Sequence, residues 1–181
     1  MTDADASRRF TAIYDAHYAQ VYAYAVGRAG RQLADDIVSD TFLRAWRKLG
    51  AVPEVPLPWL LGVARNVVRE RYRDEARQAS LAAELRAWVD EADADVADGV
   101  ADRAAMLAAF ARVSEADREL LTLMAWHGLS TREAARVIGC SLATFFVRLH
   151  RARKSLEKAL AAVPQVGRRA QINLPSEEYS R

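Results

Sequence analysis

Four cations crowd the stretch FFVRLHRARK, residues 145–154: Arg148, Arg151, Arg153 and Lys154. At that density they suit the phosphates of a duplex, contacts that position a protein without reading its sequence. A second cationic stretch, PWLLGVARNVVRERYR (58–73), interleaves Trp59, Asn66 and Tyr72 with Arg65, Arg69, Arg71 and Arg73. Aromatic rings stack on unpaired bases while arginines follow the backbone, a combination that holds single-stranded DNA. The plainer reading of Trp59, a lone tryptophan after proline, is a core anchor. Asp35 and Asp36 invite a catalytic or metal reading, yet no histidine or further carboxylate stands at ligand spacing beside them. Near a helix start they would simply complement the macrodipole. His17, His127 and His150 are scattered, with no Ser, Cys or Asp at triad spacing. There is no glycine-rich phosphate loop. The single cysteine, Cys140, excludes an internal disulfide and any cysteine-rich metal site. Nothing here supports an enzyme, and no cofactor or metal is expected.

The elements that must position these residues are helices. The chain is rich in Ala, Leu, Arg and Glu and shows little period-two alternation. Of its 181 residues 51% are hydrophobic, enough for one medium domain or two small ones. A net charge of +2 says little about partners; the distribution of charge says more. The spacing predicts a first helix over 7–29, with Phe10, Ile13, Tyr14, His17, Val21, Tyr22 and Tyr24 on an aromatic side and Gly27 and Gly30 ending it. A second runs over 33–49, where Ile37, Val38, Thr41, Phe42, Ala45 and Trp46 recur at threes and fours. Three prolines in GAVPEVPLP (50–58) impose extended backbone before a third helix over 59–78. Residues 81–102 then hold seven acids against one base, an acidic linker with little to bury.

Beyond that linker about four helices are expected: a short one near 103–112, then 115–126, 131–138 and 142–161. Ser130-Thr131-Arg132-Glu133 is a capping box, Ser114 and Ser141 are further caps, and Gly139 is the turn. A short helix, a glycine turn and a longer basic helix make a helix-turn-helix, favoured over an ordinary helix pair by the small Ala134 and Ala135. On a helical wheel Leu142, Phe145, Leu149, Ala152 and Leu156 form the core stripe. Ala143, Val147, His150, Arg151 and Lys154 lie opposite; Thr144 and Arg148 flank one side, Phe146 and Arg153 the other. Phe146 has two readings: partial burial against a neighbouring helix, which we favour, or contact with a thymine methyl in the major groove.

Taken together, ADDIVSDTFLRAWRKL (34–49), PWLLGVARNVVRERYR (58–73) and SEADRELLTLMAWHGLSTREAARVIGCSLATFFVRLHRARKSL (114–156) resemble the sigma-70 family, and more narrowly its small extracytoplasmic-function (ECF) members. The resemblance covers about 8–78 and 105–160 and is collinear. It implies an all-α fold of two modules: region two at 1–79, a linker at 80–103, region four at 104–163 and a tail at 164–181. Region two would bind the clamp helices of core RNA polymerase through Asp35, Asp36, Asp40, Arg44 and Arg47. It would also capture minus-ten bases through Trp59, Arg65, Asn66, Arg69 and Arg73, with Asn66 the best candidate for a base contact. Region four would dock on the polymerase flap. It would read the minus-thirty-five element through Ser141, Ala143, Thr144, Phe146, Val147, Arg148, His150, Arg151, Arg153 and Lys154. Ser39 departs from the family's usual Glu or Gln.

The partners implied are core RNA polymerase, promoter DNA and, as in many members, an anti-sigma factor, the protein itself being monomeric. No run approaches the roughly 18 apolar residues of a membrane helix, and MTDADASRRF has no secretory core, so a cytoplasmic protein is expected. The competing readings are a dimeric helix-turn-helix regulator independent of polymerase, which needs an effector pocket or dimer seam in the first module, and a helical adaptor that binds only proteins.

Overall fold

The structure is a computed structural model and describes residues 3–78 and 100–162. The expected acidic linker, apart from its last residues, and the tail beyond Ala162 lie outside the described residues. Among the described residues seven α-helices run in chain order: α1 Asp3–Ala29, α2 Arg31–Arg47, α3 Pro56–Gln78, α4 Val100–Arg112, α5 Glu115–Ala125, α6 Thr131–Ile138 and α7 Leu142–Ala161. There is no strand among the described residues.

Helices α1, α2 and α3 form a three-helix bundle. Its interior is filled by Val21 and Ala25 of α1, Ile37, Val38 and Phe42 of α2, and Leu60, Leu61, Ala64, Val67 and Val68 of α3. Thr41, the one hydroxyl in the α2 stripe, is buried and donates to the Ile37 carbonyl 2.6 Å away, so it costs no unsatisfied group. Gly30, at φ 76°, separates α1 from α2, whereas Gly27 lies within α1. The prolines behave differently from expectation. α3 begins at Pro56 and carries Pro58 in its first turn, where proline's missing N–H would have had no partner anyway. Arg9 donates to the Val52 carbonyl at 2.7 Å and ties the preceding loop to α1.

Helices α5, α6 and α7 enclose Leu120, Leu123, Leu129, Ala134, Val137, Ile138, Phe145 and Leu149, while α4 packs along α7 through Ala109, Val113 and Ala159. The caps form as the sequence requires. Ser130 Oγ accepts from the Glu133 N–H and the Glu133 carboxylate accepts from the Ser130 N–H at 2.8 Å. The Glu133 carboxylate also accepts from the Ser130 hydroxyl at 2.5 Å, and that bond, then the one from the Ser130 N–H, hold its carboxyl below the usual range. Gly139 takes the left-handed conformation at φ 76°, and Ser141 caps α7 by accepting from the Thr144 N–H at 3.1 Å. The two bundles are not independent. One continuous apolar core runs from α1–α3 into α5–α7, with α3 seated on α6.

Candidate nucleic-acid interface

The α3 residues expected to meet single-stranded DNA divide into three groups. Asn66, Arg69 and Arg73 are exposed and, at spacings of three and four, share one strip of the helix. Arg73 Nε donates to the Arg69 carbonyl at 3.1 Å, which lays its side chain back along that strip. Trp59 packs against the core at the start of α3, only partly exposed. Arg65 turns away from the strip toward α5. Its Nε donates to Glu119 Oε1 at 2.9 Å and its Nη2 reaches Oε2 at 3.5 Å.

On α7 the wheel largely holds: Phe145, Leu149 and Ala152 are buried, and Ala143, Thr144, Val147, His150, Arg151, Arg153 and Lys154 are exposed, with Arg148 partly so. Two residues differ. Leu142 is exposed, because burial on this helix begins one turn later at Phe145. Phe146 is 54% exposed, so packing does not account for it; α4, α5 and α6 all engage the other side of α7 and leave its flank uncovered. Val147 beside it is 53% exposed. Ser141 and Thr144 share a 2.8 Å hydroxyl contact within the cap. The open face of α7 is therefore an apolar pair, Phe146 and Val147, framed by cations.

Two of the three acids of α2, Asp36 and Asp40, are already partnered. Arg71 of α3 donates to Asp36 at 3.2 Å and to Asp40 at 2.8 Å, and its own pKa rises chiefly through the Asp40 bond. Arg44 pairs with Glu70, the longer of two contacts being 3.1 Å; the bond to Arg44 lowers the Glu70 pKa. Asp35 and Asp36 lie beyond the first turn of α2, so the macrodipole does not explain them. Arg47 is exposed.

Sequence reasoning missed the apolar half of this surface. Phe10, Tyr14 and Tyr18 of α1 face Phe42, Leu43 and Trp46 of α2 across an open groove of about 570 Å³, with Asp35 and Ser39 on its rim. Trp46 is 43% exposed although its ring meets Phe10 edge-on at 5.1 Å. Burial, then the charge of Asp35, raise the Tyr18 pKa. Periodicity marked these aromatics, but a period is the same for a core stripe and a groove wall. Among the described residues no cluster of His, Cys, Asp and Glu could hold a metal, and no helix is long and apolar enough to cross a membrane.

Comparison with known proteins bears on what this pairing of bundles is. The sequence profile of sigma-70 region 2 matches residues 13–78, and that of sigma-70 region 4 matches 103–156. The chain is 30% identical to the ECF RNA polymerase sigma factor EcfG of Rhodopseudomonas palustris over 150 residues, covering 76% of this chain and 77% of EcfG. The chain belongs to the sigma-70 family, in its ECF branch. It is also 30% identical over 165 residues to the ECF sigma factor BldN of Streptomyces coelicolor, but spans only 61% of BldN's length. The solved structure of CnrH in complex with the cytosolic domain of CnrY matches 86% of this chain and 90% of that one, at TM-score 0.59 and 27% identity. Membership sets aside the regulator and adaptor alternatives. In sigma terms, α1–α3 is region two and α4–α7 is region four, with α6 and α7 its helix-turn-helix.

Proposed function

We propose that the protein directs core RNA polymerase to promoters and starts transcription there, region four engaging the minus-thirty-five duplex and region two trapping unpaired minus-ten bases. One observation carries this: a single fold presents both an exposed Asn66–Arg69–Arg73 strip and a cation-framed recognition helix. Base capture on the strip offsets unpairing, which costs a few kcal/mol per base. Two tethered modules on one promoter gain from effective concentration. The α2 surface, with Asp35 on the rim of the aromatic groove and Asp36, Asp40, Arg44 and Arg47 along the same helix, is the seat for the polymerase clamp helices, and region four is also the seat for the flap. CnrH forms a complex with the cytosolic domain of CnrY, and an anti-sigma factor is a comparable partner for this chain.

Reconstitution with core polymerase on promoter DNA is the test. No polymerase binding and no opening would sink the proposal. Asn66→Ala is expected to slow opening about tenfold, the worth of one lost polar base contact, while duplex binding by region four is unchanged. Equal losses in both would refute the assignment of Asn66.

The exposed Phe146 gives a second expectation. Phe146→Ala should leave the melting temperature nearly unchanged, since more than half of the residue is exposed, and relax base preference at one position. Replacing thymine by uracil there removes only the methyl group. That change should weaken the wild type about fourfold, the worth of one buried methyl, and leave Phe146→Ala unaffected. A lowered melting temperature with intact preference would return Phe146 to packing.

A further inference from the structure

Gly62 of α3 has no reason within the fold to be glycine. It stands in the second turn of a 23-residue helix, and its backbone is not in the left-handed region that Gly30, Gly128 and Gly139 occupy. Apart from its chain neighbours and the local helix backbone, no heavy atom of the described residues lies within 4 Å of where a β-carbon would stand. Neither a turn nor a close internal approach therefore calls for a missing side chain. Inside a helix glycine is the poorest residue but proline, because it surrenders the most backbone freedom on folding. Gly62 is a standing cost to α3 that nothing among the described residues offsets.

Its place on the helix is specific. At about 100° per residue, Gly62 falls about 20° from Arg69 and Arg73, about 40° from Asn66 and about 60° from Trp59. It is thus part of the exposed strip, with Trp59 one turn before it and Asn66 one turn after. The longer side chains nearby do not cover it. Arg65, three residues on, is held by Glu119 of α5 at 2.9 Å, and Arg73 is laid back on the Arg69 carbonyl at 3.1 Å. Glu70, the first acid of α3, pairs with Arg44 of α2. The strip is therefore cationic, with a patch of bare helix backbone between an aromatic ring and an amide.

We infer that Gly62 is a base-seating position: its missing side chain lets one unpaired base of the minus-ten strand lie against the backbone of α3, between Trp59 and Asn66. The inference rests on the functional reading above and adds to it a residue with no functional group of its own. A base is a flat ring whose face is stabilised by close, water-free contact. A β-carbon and its hydrogens would hold such a ring off the helix, and glycine alone removes that spacer. Close seating brings the edge of the base within reach of the Asn66 amide, which can both donate and accept. Arg69 and Arg73 then meet the neighbouring phosphates. The charge of the strip selects this occupant, because two exposed guanidiniums favour a polyanion over a basic protein surface. The stability that glycine forgoes in α3 is offset by contact only when DNA is bound.

The test uses the full chain reconstituted with core polymerase. Wild type and variants select duplexes from a randomised pool, and opening of the duplex that the wild type prefers is read by permanganate oxidation of unpaired thymines. Gly62→Ala should raise the melting temperature of the chain by roughly 2 °C, as a better helix former. It should also slow opening about tenfold, the effect of forcing one methyl group into a fitted contact. Gly62→Leu should slow opening further, at a melting temperature no lower than wild type. The base preferred at one minus-ten position should change, with the minus-thirty-five preference intact. Gly27→Ala is the control: that glycine of α1 is exposed and equally without a neighbour within 4 Å, so its replacement should stabilise the chain and leave opening unchanged. Gly62→Ala opening at the wild-type rate would overturn the inference. So would a lowered melting temperature, which would give Gly62 a packing role, or an equal loss of binding to core polymerase, which would make it a protein contact. A wild type that opens no duplex refutes the functional reading and the inference with it; the other results refute the inference alone.

Discussion

Replacing Trp46 with alanine is expected to cut affinity for core RNA polymerase at least 30-fold. The expectation comes from where the ring sits. Its edge-on contact with Phe10 at 5.1 Å fixes the indole, yet 43% of the residue remains open over the aromatic groove. A rigid, half-exposed tryptophan in a lined groove has the features of an interface anchor, and truncating such an anchor costs about 2–4 kcal/mol of binding. The acids nearby are weaker candidates for large effects. Asp36 and Asp40 already share Arg71, and Arg44 already holds Glu70. Rim charges of this kind alter association rates and salt dependence more than they alter affinity. Arg47→Ala should accordingly change affinity by less than about fivefold. The variants are compared by competition for core polymerase at fixed salt, beside melting curves. A Trp46→Ala protein that melts normally and binds within threefold of wild type would remove the groove from the polymerase interface.

Phe145→Ala is expected to destabilise region four by about 3–5 kcal/mol, the usual cost of deleting a fully buried phenylalanine. Phe145 is 0% exposed and stands among Leu120, Leu123, Leu149 and Ala152, side chains from α5 and α7. Phe145→Leu keeps most of the apolar volume and should lose well under half as much. The neighbouring Phe146→Ala should lose almost nothing. Two adjacent phenylalanines with opposite consequences make a sharp comparison in thermal or urea unfolding. Because one core runs through both bundles, a single cooperative transition is expected for the wild type. Phe145→Ala should split it, region four melting first. A Phe145→Ala transition that stays single and close to wild type would refute this account of the core.

The contrast between these two phenylalanines shows what local pattern conveys. Caps, turns and stripes are decided within about four residues, because helical hydrogen bonds and capping bonds span that distance. The sequence therefore determined the all-helical class and the placing of α5, α6 and α7 by Ser114, Ser130, Gly139 and Ser141. It likewise determined the buried side of α7 from Phe145 onward. The sigma-70 motifs were readable for the same reason, as collinear short runs. The same locality explains the misplaced start of α3: three prolines read as a loop, but two of them fit a first turn whose amide hydrogens need no helical partner.

Tertiary structure decided everything that depends on which surfaces meet. The aromatic spacing of α1 and α2 was the same whether Trp46 lay in a core or on the wall of a groove; the packing of the two helices left it half exposed on that wall. Phe146 was ambiguous by about 80° on the wheel, until the positions of α4, α5 and α6 left its side of α7 bare. Arg65 looked like its neighbours Arg69 and Arg73, one more cation on a basic helix. Only the docking of region four, with Glu119 arriving from 54 residues away, separated it from them. A buried charge is chosen by its partners, and partners that distant leave no period, cap or turn for a sequence to show.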